Sequence, residues 1–208
     1  MYFIFKMVWG SNMGSEGIVE IAVNDLADEF RENPDEFFNE YDFRHRFFCK
    51  LYPEFKNLIH SEYPTRKRFI KEMASGEKYV SGKHCFEPEI KKGIRDKYAL
   101  AVFKEEFYNK YKNELSRLDG LSNTDFDIRY IYMDFAFEFK YISSGSINVI
   151  GEIEFDIFKL KEATEAENKY LIIFIKKIFG DEGFKHIIEH LNEFKKNEKV
   201  VNILIFSK

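Results

Sequence analysis

The segment 128–141 constrains the fold of this chain more than any other stretch. Within it Phe135, Phe137, Phe139 and Tyr141 alternate with Asp134, Ala136, Glu138 and Lys140. Successive side chains of an extended chain point to opposite faces. Period two therefore predicts a β-strand with aromatics on one side and a mostly polar set on the other. Residues 169–176 (KYLIIFIK) are almost continuously apolar, the pattern of a buried strand in a parallel sheet. Residues 182–197 carry Phe184, Ile187, Ile188, Leu191 and Phe194 at helical spacing, and 199–206 (KVVNILIF) read as a final strand. Strand, helix and strand in that order predict a right-handed βαβ unit at the C-terminal end.

The upstream half reads as helix at 16–31, a break at Asn33-Pro34-Asp35, and an amphipathic helix from Glu36 to Leu51. That second helix is expected to turn Phe37, Tyr41, Phe47, Phe48 and Leu51 inward. Residues 58–63 read as a short strand stopped by Pro64, and 65–93 as an irregular basic stretch. Residues 95–103 (RDKYALAVF) mix helix and strand formers and are assigned to a strand; 104–118 and 152–166 are assigned to helices. The sum is an α/β fold, a sheet covered by helices. A chain of 208 residues suits one domain spanning 1–208, with 1–35 as a helical extension and 104–127 as an insertion.

Composition narrows the function classes. Apolar residues make up 45% and charged residues 33%, which excludes a disordered chain. No apolar run reaches the roughly 20 residues that span a bilayer, so no membrane is expected. Cys49 and Cys85 have neither metal nor CxxC spacing and are expected to be reduced, buried thiols of a cytoplasmic protein. The net charge of −4 excludes a protein coated in positive charge. It leaves room for a nucleic-acid enzyme whose basic residues are confined to one groove.

Chemistry concentrates at Glu138 and Lys140. Two residues apart on a strand, they point the same way, about 7 Å apart. Phosphodiester hydrolysis needs a metal-binding carboxylate and a nearby cation, and this pair supplies both. A second carboxylate is needed. Asp96, at the start of the preceding strand, is the leading candidate, with Asp127 and Asp134 as competitors. Asp134 lies roughly 13 Å from Glu138 along an extended strand, too far to share one ion easily. His186-Ile187-Ile188-Glu189-His190 matches an inverted zinc-peptidase pattern, but no convincing third ligand follows it.

An Asp opening a strand, followed by a hydrophobic strand carrying Glu138-Phe139-Lys140, resembles the PD-(D/E)XK phosphodiesterase superfamily. The resemblance implies a restriction-endonuclease-like central mixed sheet flanked by helices, here with a C-terminal βαβ extension. It implies Mg²⁺ (or Mn²⁺) held by Asp96 and Glu138, with Lys140 as the catalytic lysine. Glu40 matches the extra helical acid of many members. The segment Asp156–Leu160 resembles the helix that lines the cleft, which brings Lys159 to the substrate. Arg44 and Arg46, with the run Arg66, Lys67 and Arg68, are the further residues expected to grip phosphates. The implied activity is metal-dependent endonuclease hydrolysis of DNA, by a protein expected to form a homodimer. The alternative is a catalytically inactive protein of the same fold that binds nucleic acid or assembles as a dimer.

Overall fold

The computed structural model describes residues 14–70, 80–84, 94–118, 132–143, 148–176 and 182–208. Two helices open it, α1 (Ser15–Glu32) and α2 (Glu40–Phe55). There follow β1 (Ile59–Ile70), β2 (Val80–His84), β3 (Ile94–Phe103), α3 (Glu105–Leu118), β4 (Met133–Ile142), α4 (Asn148–Glu162), β5 (Ala166–Ile175), α5 (Glu182–Asn197) and β6 (Asn202–Ser207). The strands form one mixed sheet in the order β2-β1-β3-β4-β5-β6. Pairing is antiparallel from β2 to β4 and parallel from β4 through β6. The βαβ unit expected at the C-terminal end is β5-α5-β6, and α4 makes a second crossover between β4 and β5.

Helices cover both faces. On one, α1 and α2 bury Leu26, Phe30, Phe43 and Phe47 against Phe135, Phe137 and Phe139 of β4. On the other, Ile153, Ile157 and Leu160 of α4 and Ile187 of α5 pack on Ala136, Leu171 and Ile173, joined by Phe107 of α3. The alternation of β4 is thus used as its periodicity predicts. The apolar run of β5 also has its reason. Strands flank it on both edges and helices on both faces, so Leu171 to Ile175 are each fully buried. Phe43 centres the aromatic layer, stacked on Phe37 at 4.4 Å and on Phe174 at 4.1 Å between ring centroids. Each such ring contributes about 1.5–3 kcal/mol by burial. Among the described residues no helix is long and apolar enough to cross a membrane.

Several expectations need correction. Pro34 opens only a 3₁₀ turn, and α2 begins later, where Asn39 accepts from the Tyr41 amide and Asp42 accepts from the Asn39 amide. This capping box satisfies the helix's free N–H groups, which Pro34 does not. With that start the inward stripe is Phe43, Phe47, Leu51 and Phe55, and Tyr41 is 65% exposed. Cys49 falls on the outward side and is an exposed free thiol; Cys85 lies outside the described residues. Pro64 does not stop β1. The strand pairs with β3 at Pro64 and again at Arg68, and its register shifts between them, an irregularity at which a missing N–H is tolerated. The basic run Arg66–Arg68 therefore lies on a strand, and β2 occupies part of the stretch read as irregular.

Candidate functional site

The sheet splits at its centre. β3 and β4 pair up to Leu100↔Phe137 and no further. Beyond that point β4 keeps its parallel ladder with β5 to Ile142↔Ile175, and β3 keeps its ladder with β1 to Phe69↔Ile94. A cleft of about 630 Å³ opens in the fork. Ala99 and Lys97 of β3 line one side, and Glu138 and Lys140 of β4 the other. Glu40 and Arg44 enter from α2; Glu152, Asp156 and Lys159 enter from α4.

Four of these groups are tightly coupled. Lys140 Nζ lies 3.2 Å from Asp156 Oδ2 and 3.5 Å from both Glu40 Oε1 and Glu152 Oε2. Burial pulls the Lys140 pKa down, but the surrounding Asp156, Glu40 and Glu152 outweigh it, and the result lies well above the ordinary lysine value. Lys140 is a fixed cation at any physiological pH. Burial pushes the Glu40 carboxyl above its ordinary range; Lys140 opposes the shift and Asp156 adds to it. Behind them Lys159 Nζ lies 2.8 Å from Glu138 Oε1 and 3.3 Å from Asp156 Oδ1, and donates to the Lys97 carbonyl at 3.0 Å. At the rim Glu62 of β1 pairs with Arg44 and, at 3.9 Å, with Lys97. Glu62 has φ 55, an unusual left-handed conformation for a non-glycine residue. The Arg44 guanidinium lies over the Tyr41 ring at 4.3 Å.

Of the residues expected from sequence, Glu40, Glu138, Lys140, Arg44 and Lys159 share this cleft. Lys159 is its floor: at 3% exposure it is not a surface grip. Arg46 is elsewhere, bridging Glu29 and Glu36 with its guanidinium over the Phe37 ring. The backbone of Asp96 belongs to β3, one residue from Lys97; its side chain lies outside the described residues, as do those of Arg66, Lys67 and Arg68 and the whole of Asp127. Asp134 is remote, coupled to Lys104 and Glu167. The motif resemblance places the segment Asp156–Leu160 at the cleft without giving Asp156 a role of its own, and it passes over Glu152. Their signal was present: Glu152, Asp156 and Lys159, spaced four and three apart, form a polar stripe on a helix whose other side is Ile153, Ile157 and Leu160.

The donor chemistry suits a hard divalent cation in kind, being carboxylate oxygens, with Asp156 Oδ2 buried against the Lys140 ammonium. It falls short in number. Among the described residues no three acidic, His or Cys side chains are gathered closely enough to hold one ion. His186 and His190, with ring centroids 4.4 Å apart on α5, have no third ligand on that ground either. In comparison with known proteins, the chain matches no family model, no curated protein and no solved structure.

Proposed function

We propose that this protein is a metal-dependent nuclease acting on DNA in the cytoplasm. One observation carries the reading. Glu138 and Lys140, two apart on β4, open into a single cleft where Glu40 from α2 and Asp156 from α4 meet the same ammonium. The order of two helices, antiparallel strands, a strand bearing Glu-x-Lys, a helix and a parallel strand supports the restriction-endonuclease-like arrangement that the motif resembles.

Glu138 and Glu40, which line the cleft, would hold Mg²⁺ or Mn²⁺, and Asp96, whose side chain lies outside the described residues, would be the further ligand that the motif implies. When bound, such an ion lowers the pKa of a water ligand and offsets phosphate charge. The chain's own groups do the rest. Lys140, held protonated, cannot act as a base; it donates to a phosphate oxygen as negative charge grows there. Burial holds the Glu40 proton to higher pH than usual, so an ion bound there would have to displace it. Arg44 at the rim grips the flanking phosphate.

A second reading is an inactive binding or dimer-forming module. It draws on the ion pairs already made by the cleft carboxylates, and on Phe38, Tyr41 and Tyr52, which are 78%, 65% and 48% exposed, Tyr41 lining the cleft itself. The deciding experiment incubates purified protein with supercoiled plasmid, single-stranded DNA and RNA, in Mg²⁺, Mn²⁺ or EDTA, beside Lys140→Ala. Metal-dependent cleavage that falls about 10²–10³-fold in the variant is expected. Equal cleavage by both proteins, or none by the wild type, overturns the proposal.

A further inference from the structure

We infer that Lys159 is the positioning residue that holds the β3–β4 fork open and fixes the carboxylate of Glu138; the inference rests on the nuclease reading. An antiparallel ladder continued past Leu100↔Phe137 would set Ala99 opposite Glu138 and Lys97 opposite Lys140. Instead, the backbone groups of β3 that face β4 are taken by side chains. The Ala99 N–H donates to Glu138 Oε1 at 3.3 Å, and the Lys97 carbonyl accepts from Lys159 Nζ at 3.0 Å. A buried sheet edge left without such partners would either close up or leave costly unpaired groups.

Lys159 meets this need at both ends. An ammonium has three N–H donors, and among the described residues Glu138 Oε1, Asp156 Oδ1 and the Lys97 oxygen lie around this one. The three oxygens come from β4, α4 and β3, so one buried group ties together the three elements that border the cleft. Glu138 and Asp156 are 7% and 5% exposed, and loss of Lys159 would take from each a cation within 3.3 Å. The two lysines divide the work. Lys140, more open to the cleft, faces the substrate, and Lys159 sits behind it and orients the acid.

The test compares wild type, Lys159→Met, Lys159→Gln and Lys140→Met by residue-resolved hydrogen exchange and by cleavage kinetics in Mg²⁺. Both Lys159 variants should exchange the Ala99 amide roughly tenfold faster while the amides of 171–175 in β5 stay protected; Lys140→Met should leave Ala99 as in wild type. Their kcat should fall roughly 10–100-fold at unchanged KM. If Lys159→Met does not fold, Lys159→Gln, which keeps two N–H donors, carries the comparison. Unaltered Ala99 protection in the Lys159 variants, or an equal loss in Lys140→Met, overturns the inference. Absence of cleavage by the wild type would sink the nuclease reading and leave the exchange result to decide the role of Lys159 in the fork.

Discussion

Lys140 Nζ lies 3.2 Å from Asp156 Oδ2, so the lysine of the Glu-x-Lys pair meets its nearest carboxylate on α4 and not on its own strand. Both side chains are largely buried, at 14% and 8% exposed. Lys140→Met would leave Asp156, Glu40 and Glu152 facing one another. The expected loss is about 3–5 kcal/mol at neutral pH. Denaturant unfolding measures it. The wild-type contribution of Lys140 has an alkaline limit. Its pKa is raised in the fold, so it stabilises fully below the ordinary lysine pKa and loses that effect only at strongly alkaline pH.

Glu40 titrates the other way from a typical paired carboxylate. Its folded pKa is raised, so its favourable contribution is complete below the unfolded value and disappears as pH rises through the folded one. Glu40→Gln removes this dependence. The variant should gain stability relative to wild type as pH rises above the ordinary glutamate value of 4.5, read as a growing difference in unfolding midpoint. A constant difference over that rise would contradict the assignment.

Glu62 holds Arg44 and Lys97, two cations at the cleft rim, from a backbone conformation that costs about 1–3 kcal/mol. A phosphate in the same place would meet the same two cations. Glu62→Gln should therefore tighten DNA binding several-fold and steepen its salt dependence by about one unit of slope. Fluorescence anisotropy in Ca²⁺, at several salt concentrations, provides the measurement; weaker binding would show that Glu62 supports the rim instead of occupying it.

Glu198 anchors the turn from α5 into β6. It accepts from the amides of Lys199, Val200 and Val201 at 3.0, 2.7 and 3.3 Å and pairs with Lys161 at 3.1 Å. Burial alone would raise its pKa, but these bonds overcome that and lower it. The stability it supplies is present above the ordinary glutamate range and lost as pH falls through the lowered value. Glu198→Ala should cost about 1–3 kcal/mol at pH 7 and much less near pH 3, by thermal or denaturant unfolding at both pH values.

The sequence by itself determined the elements whose side chains repeat with a clean period. The alternation of Phe135, Phe137 and Phe139 put Glu138 and Lys140 on a common side, and the run Leu171–Ile175 could only be an interior strand. It misjudged places where local signals compete with long-range ones. Pro64 reads as a stop until β1 is seen to run past it at a shift in its register with β3, and Pro34 reads as a helix start until Asn39 and Asp42 are seen to cap α2. The tertiary structure alone decided which charges meet. Asp156 and Lys159 lie 16 and 19 residues beyond Lys140, and Glu40 lies 100 before it. The motif resemblance placed Glu40 and the segment Asp156–Leu160 at the cleft, but nothing in the spacing says which carboxylate meets which ammonium. That follows from the crossover that lays α4 on the sheet and from the parting of β3 and β4 after Leu100↔Phe137, because burial in that fork is what forces each carboxylate to find an ammonium.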